Sequence, residues 1–261
     1  MSSAYSGLSL FGSAIAAAMV LSGCGGGGDS GTAPSAPPAA VATPSAEGVY
    51  GGTLTGSTNN AFNLLVLENG DAWAIYGTQS ATLFGVAGFV QGTGTSSNGS
   101  YSVPNGKDFG YSPAQAGSLT ATYNATAKTI SGTLGSVTFS GGPIPGSLYN
   151  YDTAASLSAI SGSWSTRDLT GASIALNVAA SGAFTAISGF GCQGSGTIVP
   201  RASGKNVFNV TLTFGAAPCA LAGQSATGIA VLSPLASGRT QLLVTAIDST
   251  RTYGTAAIGT R

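Results

Sequence analysis

The sequence predicts an all-β protein with two tandem small antiparallel β-barrel-like domains of the up-and-down type, after a signal peptide and a disordered linker. Residues 46–261 contain many short β-rich runs separated by Gly, Asn-Gly and Ser-Gly turns, with no helical periodicity of useful length. Similar segments recur in the same order in both halves of this region. The chain has only 8 basic and 8 acidic residues. An open sheet would therefore lack the charged side chains that protect its edges, and closure into a barrel removes those edges.

The internal repeat consists of four pairs of matching segments in the same order. The first pair is Gly48-Val49-Tyr50 and Gly162-Ser163-Trp164. The second is residues 62–66, followed by the turn Asn69-Gly70, and residues 174–178, followed by the turn Ser181-Gly182. The third pair is residues 88–94 and 189–196, and the fourth is residues 119–123 and 210–214. Together they indicate a tandem duplication, with β-domain 1 at residues 46–151 and β-domain 2 at residues 162–261. Residues 152–161 are predicted to form a short helical connector, with Asp152 as its N-cap and Gly162 as its terminator.

β-domain 2 divides into eight candidate strands, a number that closes into a small barrel. They lie around Trp164 and at residues 174–179, 183–188, 193–199, 207–214, 228–232, 241–247 and 253–258. In β-domain 1, alternation places Trp73 and Ile75 on one face of a strand. Four aromatic residues are expected to fill a barrel interior, with lining of a ligand cavity as the alternative: Trp73, Tyr76, Phe84 and Phe89.

The N-terminal residues predict export and lipidation. Residues 8–21 are uncharged and apolar, which fits a signal h-region and is too short for a membrane span. At the end of this run, Leu21-Ser22-Gly23-Cys24 resembles the lipobox of bacterial lipoproteins. The Cys of a lipobox is acylated, as with palmitate, and becomes the mature N-terminus. The resemblance implies a signal peptide at residues 1–23 and a lipid anchor on Cys24. Because Gly25 rather than Asp follows, it also implies the outer membrane, on its periplasmic face or at the cell surface. Residues 24–45, rich in Gly, Pro, Ala and Ser, are predicted to be a tether.

Two further segments resemble known barrel families. A short helical turn running into Gly162-Ser163-Trp164 resembles the opening of lipocalin-like barrels, whose Gly-x-Trp closes the barrel floor. Residues 117–123 followed by 128–134 resemble paired strands in the barrel domains of transferrin-binding-protein-type surface lipoproteins. Both resemblances imply a barrel architecture, and neither assigns a ligand residue in this chain.

The remaining two cysteines, Cys192 and Cys219, predict a disulfide, because an oxidising compartment favours one. In an up-and-down order they occupy turns at the same end of the barrel, one between the third and fourth strands and one between the fifth and sixth. A redox-active or metal-binding thiol pair is the alternative, although the chain has no Cys-x-x-Cys motif and no His.

The absence of His excludes Ser-His and Cys-His nucleophile pairs and His-liganded metals. So few charges also argue against a nucleic-acid partner. Residues 46–151 carry 2 basic and 4 acidic residues, giving −2, and residues 153–261 carry 6 and 2, giving +4. We expect these charges to solubilise the chain and help the two domains dock, the alternative being a weakly basic face for an anionic partner. Glu68 and Asp71, which flank Asn69-Gly70, are interpreted as polar flanks of a hairpin turn rather than a catalytic pair.

These observations predict a non-catalytic binding module, lipid-anchored in the cell envelope, for an envelope polymer, protein or other extracellular partner. No cofactor and no metal are expected. A structural or surface-coat lipoprotein without a discrete ligand site is the alternative. The two differ in whether a barrel holds an apolar cavity larger than about 300 Å³. An enzyme using Ser, Tyr, Lys or carboxylates, and an integral outer-membrane barrel, are the remaining hypotheses.

Overall fold

The computed structural model describes residues 45–79 and 84–261. The predicted signal peptide, Cys24 and the tether up to residue 44 lie outside the described residues. Within them the chain is almost entirely β, with a single short helix. No helix among these residues has both the length and the apolar character needed to cross a bilayer.

β-domain 1 is a curled antiparallel sheet of eleven strands that forms a half-barrel, in the order β5-β6-β9-β10-β11-β1-β2-β3-β4-β7-β8. Its strands are β1 (Gly48–Thr55), β2 (Ala61–Val66), β3 (Asp71–Gln79), β4 (Phe84–Thr93), β5 (Thr95–Ser97), β6 (Ser100–Val103), β7 (Lys107–Asp108), β8 (Gln115–Ala116), β9 (Leu119–Asn124), β10 (Thr129–Leu134) and β11 (Val137–Gly142). The first strand pairs with both β2 and β11, so the sheet curls around its own apolar core. The described strand order leaves β5 and β8 at its ends, because β4 pairs with β7 instead of with the β5-β6 hairpin.

β-domain 2 is a closed antiparallel barrel of eight strands in up-and-down order, β12 to β19. The strands are β12 (Gly162–Arg167), β13 (Ser173–Val178), β14 (Ala183–Ser188), β15 (Gln193–Pro200), β16 (Phe208–Phe214), β17 (Ser225–Pro234), β18 (Thr240–Asp248) and β19 (Gly254–Thr260). All eight predicted strands are confirmed, with ends that differ by a few residues. The barrel closes through β12 and β19, where Thr166 pairs with Gly259.

Two of the four repeat landmarks have the same register in both domains. Gly48 pairs with Val66 and Gly162 pairs with Val178, so the first two strands of each domain match residue for residue. The other two landmarks are wrong. The predicted match of Gly94 with Gly196 is shifted by two residues. Gly196 pairs with Phe184, and the equivalent residue of β-domain 1, paired with Ala72, is Gly92. In β-domain 1, β9 is the third strand from β1 after β11 and β10. In β-domain 2 the third strand from β12 in the same direction, after β19 and β18, is β17, whereas the predicted match was to β16.

The connector is shorter than predicted. The helix α1 spans Leu157–Ile160, its N-cap is Ser156 without a side-chain hydrogen bond, and Ser161 follows as C-cap. Asp152 is therefore not the N-cap. Its carboxylate instead accepts a hydrogen bond of 2.8 Å from Lys205 Nζ, and this interaction lowers the pKa of Asp152.

The two domains pack against each other through outward-facing apolar side chains. Trp73 and Phe89 stack with ring centroids 6.4 Å apart, and Phe89 stacks on Phe109 at 4.9 Å. Opposite them in the same apolar clusters are residues of β-domain 2: Ile229, Val231, Leu243, Ile247, Ala256 and Ile258. A Cβ on Gly254 would lie 2.6 Å from Phe89 Cζ, so only glycine permits this close approach of the two domains.

Charged groups cross the same interface, which confirms the expected role of charge in docking. Arg201 Nε donates a hydrogen bond of 2.6 Å to Glu68 Oε1, and Lys205 Nζ lies 3.0 Å from Glu47 Oε1. Burial by itself raises the pKa of Glu68, but the hydrogen bond from Arg201 leads the interactions that bring that pKa below its ordinary value.

A second polar contact is organised by the loop between β18 and β19. Arg251 donates to the carbonyl of Gln91, and Lys107 Nζ donates to the carbonyl of Arg251. The loop is held by Asp248, 4% exposed, whose carboxylate accepts hydrogen bonds from three residues of the loop: Thr250, Thr252 and Tyr253. Burial raises the pKa of Asp248, but these hydrogen bonds outweigh burial and the net pKa is lowered.

Replacing this carboxylate should destabilise the protein in a pH-dependent way. We expect Asp248→Asn to lower the free energy of unfolding by about 2 kcal/mol at pH 7, because the new amide places a donor against loop donors. A carboxyl with a lowered folded-state pKa stabilises the fold above its unfolded pKa and loses that contribution as the pH falls through the folded value. The difference between variant and wild type should therefore shrink below about pH 4 in urea titrations.

The matched control for this prediction is Asp152→Asn. Its carboxylate is 72% exposed in the pair with Lys205, so the change should cost less than about 1 kcal/mol. Equal losses in the two variants would contradict the role of Asp248 in ordering the loop.

Candidate functional site

The predicted cysteine pair lies at disulfide distance at one end of the barrel. The Sγ atoms of Cys192 and Cys219 are 2.01 Å apart, and the two Cα atoms are 4.6 Å apart. Cys192 ends the loop between β14 and β15, and Cys219 lies in the loop between β16 and β17. These loops share one end of the barrel, as the strand order predicted. We call them the mouth loops: residues 189–192 and 215–224.

The opposite end of the barrel is closed by a floor around Trp164, which is 2% exposed. Trp164 Nε1 donates a hydrogen bond of 2.7 Å to the carbonyl of Ile160, so α1 is fixed across the barrel end. The guanidinium of Arg261 lies 4.0 Å from the centre of the Trp164 ring and donates to the carbonyls of Ser161 and Ala159. Arg261 thus holds α1 against the Trp164 ring.

β-domain 1 has the same device with a different side chain. Tyr50, fully buried, donates a hydrogen bond of 2.8 Å to the carbonyl of Ala46, four residues earlier, just as Trp164 donates to Ile160. Burial raises the pKa of Tyr50 to about 12, and Tyr123 adds to the effect. The predicted correspondence of Gly48-Val49-Tyr50 with Gly162-Ser163-Trp164 is confirmed at the level of hydrogen bonding.

Above the floor, β-domain 2 holds a cavity that opens at the other end, which we call the barrel cavity; its volume is about 710 Å³ including the open end, where Ser112 of β-domain 1 also lines it. Its size follows from a gradient of inward-facing side chains along the barrel. Near the floor these side chains are large and buried: Leu176, Phe184, Ile198, Phe208, Val210 and Leu242. Towards the mouth, small ones occupy several inward positions of the wall: Ala186, Gly194, Ala246 and Ala257. Larger inward-facing residues also line this upper layer, Ile174, Leu212, Phe214 and Val244, and the cavity is the space that the small residues leave between them.

The wall of the barrel cavity is apolar, and its few polar side chains lie towards the mouth. They are Ser112, Asp168, Ser188, Gln224, Tyr253 and Thr255. Asp168, which carries the only charge among them, accepts hydrogen bonds from Thr170 and Ala172 of its own turn. The deep part of the cavity therefore suits an apolar group, and any polar end of a ligand would lie at the mouth.

The mouth itself is formed mainly by the mouth loops. Phe190 and Cys192 of one loop and Pro218, Ala220 and Leu221 of the other line the cavity entrance. Because the cysteine pair joins these loops, it also sets the spacing of the groups that a ligand passes.

The first domain offers less space. Its cavity measures about 190 Å³, and buried rings occupy much of the half-barrel: Tyr50, Phe62, Tyr101, Tyr123 and Phe139. Of the four aromatic residues expected inside a barrel, only Tyr76 lines this cavity, and it donates to Asp108 Oδ1 at 2.7 Å. That expectation is wrong for Trp73, Phe84 and Phe89, which belong to the interface cluster with β-domain 2.

The carboxylates considered at the sequence level are engaged in structural contacts. Glu68 is paired with Arg201 in β-domain 2. Asp71 accepts hydrogen bonds from Asn69 Nδ2 and Thr93 Oγ1 within its own sheet. Residues 45–79 and 84–261 contain no group of three or more His, Cys, Asp or Glu side chains placed to hold a metal ion.

The sequence did not reveal the barrel cavity, although its signal is present. Gly194 lies between outward-facing polar residues and Ala186 and Ala246 each follow an outward-facing Thr, whereas Ala257 lies between apolar neighbours. Such a pattern looks like weak strand amphipathicity until the barrel is closed. Fold and site together define a class, a closed eight-stranded up-and-down barrel with a sealed floor and an apolar interior open at one end. No protein-family model, curated protein or solved structure matches the chain.

Proposed function

We propose that the chain is a lipid-anchored lipoprotein of the outer membrane that acts as a non-catalytic binding module, and that the barrel cavity holds its ligand. The observation that carries this proposal is the apolar cavity of about 710 Å³. It lies within the range of about 300–1,000 Å³ that small-molecule sites occupy. An eight-stranded barrel can be filled by its own side chains. A purely structural or surface-coat lipoprotein is therefore expected to have a filled barrel, and an unfilled one favours a ligand site.

The distribution of polarity in β-domain 2 also favours a container. Exposed outer positions of β12 to β16 are rich in hydroxyl and amide side chains: Ser163, Ser165, Asn177, Thr185, Ser195, Thr197, Thr211 and Thr213. Inner positions are apolar. This is the reverse of a membrane-spanning barrel, whose outer face is apolar and whose interior is polar. The position of Trp164 on the floor supports the proposed likeness to lipocalin-like barrels.

The chemistry of the wall specifies the ligand class. A ligand of the barrel cavity would be a neutral or monopolar molecule with an apolar body, such as an acyl chain or an isoprenoid, and its polar end would lie at the mouth. We propose no catalytic role for this site. Asp168 and Asp248, the carboxylates of the open end, are both occupied by hydrogen bonds from their own loops.

Filling the cavity should abolish binding. We expect the wild-type chain to bind one molecule of a fluorescent fatty acid, and Ala186→Trp to weaken this binding at least about tenfold, because the indole occupies the upper layer of the cavity. The matched control is Thr185→Trp, the neighbouring exposed position on the outer face of β14, where affinity should stay within about twofold. Fluorescence titration measures both, and equal affinity in wild type and Ala186→Trp would refute the site.

A further inference from the structure

The open end of the second barrel carries an apolar rim that the ligand site alone does not explain. Of six large hydrophobic side chains exposed in the described residues, three lie at this end: Ile187, Phe190 and Tyr253. Phe190 is the most exposed of them, at 77%. β-domain 1 reaches this end through Ser112, which lines the cavity entrance in the loop whose Ala114 N donates to the carbonyl of Thr252. Exposed apolar side chains gathered in this way mark an interaction surface.

The mouth loops carry no charged residue at all. The longer one, Gly215-Ala216-Ala217-Pro218-Cys219-Ala220-Leu221-Ala222-Gly223-Gln224, exposes five apolar residues: Ala216, Ala217, Pro218, Ala220 and Ala222. At the other end of the barrel lie four of the six basic residues of this domain: Arg201, Lys205, Arg239 and Arg261. The barrel is thus polarised, with uncharged apolar loops at its mouth and most of its basic residues at its floor, where Arg201 and Lys205 pair with Glu68 and Glu47.

The charges that remain near the mouth are balanced and engaged. The basic residues Arg167, Arg251 and Lys107 are matched in number by Asp168, Asp248 and Asp108. Each basic side chain donates to a backbone carbonyl, of Gly171, Gln91 and Arg251 respectively. The rim therefore has neither the net charge that would attract an ionic partner nor free charges that would repel an apolar one.

We propose that this rim, formed by the mouth loops with Tyr253, docks on the surface of a lipid bilayer with neutral headgroups. The barrel then stands mouth-down, and an apolar ligand passes between bilayer and cavity without crossing water. The inference rests on the proposed function, because the continuous apolar path from rim to barrel cavity is what selects a bilayer over a protein partner. Phe190 and the small apolar residues enter the boundary of the acyl chains, and Tyr253 lies at headgroup level. Because the mouth loops lack charge, docking requires no anionic lipid and persists at high salt.

A fluorescence experiment can locate the contact on the full chain. Phe190→Trp reports on the mouth, and Val199→Trp is the matched control, since Val199 is an exposed apolar residue of β15 towards the floor, 40% exposed. Both substitutions are made together with Ala186→Trp, which fills the cavity so that a brominated acyl chain cannot enter it and quench the reporter from there. The emission of the chain with Ala186→Trp alone is subtracted as background. Each is mixed with phosphatidylcholine vesicles whose acyl chains carry bromine, a short-range quencher.

The expected result is a loss of about half or more of the emission from position 190 and little loss at position 199, unchanged in 1 M salt, as for a side chain inserted about 5–10 Å into the interface. Equal quenching at both positions, or none at 190, overturns the docking proposal. Quenching confined to 199 and dependent on anionic lipid would also overturn it, because the basic floor would then be the membrane face.

Binding of a fluorescent fatty acid to the wild-type chain in vesicle-free buffer separates the two proposals. If the probe binds and position 190 is not quenched, the ligand site stands and the membrane contact fails. If position 190 is quenched and the probe does not bind, the contact stands as a membrane attachment and the ligand site fails.

Discussion

Trp164→Ala is expected to lower the free energy of unfolding by about 3–5 kcal/mol, the loss typical of truncating a large buried aromatic residue. The indole is 2% exposed and packs with inward-facing residues of the barrel and with Ile160 of α1. Its removal would open a void at the floor, leave the carbonyl of Ile160 without its donor and leave the Arg261 guanidinium without its ring. Urea denaturation followed by circular dichroism measures the loss.

The conservative variant Trp164→Phe separates packing from hydrogen bonding. Phe keeps most of the apolar contact and cannot donate to Ile160, so we expect a smaller loss of about 1–2 kcal/mol. Similar losses in the two variants would mean that the hydrogen bond, rather than the packed ring, stabilises the floor. A loss below about 1 kcal/mol for Trp164→Ala would contradict the assignment of Trp164 as the floor of the barrel.

The strands of β-domain 2 could be predicted because their determinants are local. Burial alternates along β12 to β16, and turn residues such as Gly182 and Gly238, both at positive φ, separate the strands. Burial does not alternate in β17 to β19, because their outer faces pack against β-domain 1, but their β-rich runs and turns still located them. Up-and-down order then follows from short connections, and it correctly brought Cys192 and Cys219 to one end. The match of Tyr50 with Trp164 was also local, since each side chain bonds a carbonyl four residues earlier.

What sequence reasoning missed depends on contacts between distant segments. Alternation correctly placed Trp73 and Ile75 on one face of β3, but it could not tell that this face lies outside the sheet and against β-domain 2. The choice of β7 as partner of β4, which changes β-domain 1 from a second eight-stranded barrel into a half-barrel, is equally non-local. The third and fourth repeat landmarks failed because Gly/Thr-rich strands resemble one another in many registers.

The barrel cavity illustrates the same limit for the site. No single residue identifies it, since Ala186, Gly194 and Ala246 are ordinary strand residues until closure places them around one axis. The basic residues were easier to interpret. Arg201 and Lys205, two of the residues in the alternative basic face for an anionic partner, pair with Glu68 and Glu47 of β-domain 1. Opposite net charges in the two halves therefore did predict docking.

The second large effect is expected at the mouth. The double variant Cys192→Ser with Cys219→Ser should lower the free energy of unfolding by about 3.5 kcal/mol, because a cross-link between residues 27 apart in sequence removes loop-closure entropy from the unfolded chain. Intact mass of the wild-type protein from membranes should rise by two hydrogens on reduction, and the same spectrum tests whether the chain begins at an acylated Cys24. Urea titrations with and without reductant then measure stability.

Loss of the link between Cys192 and Cys219 should also change ligand binding, and by more than an equal loss of stability at another place in the chain. Both mouth loops line the entrance of the barrel cavity, so freeing them from each other should raise the dissociation rate of a bound fluorescent fatty acid while the floor around Trp164 keeps the barrel closed. Asp248→Asn provides the comparison, since it destabilises the chain from the neighbouring loop and leaves the cross-link intact. If both changes raise the dissociation rate equally at matched stability, the cross-link acts only on the unfolded chain. If the cysteine variant alone does so, the link between the loops sets the width of the entrance.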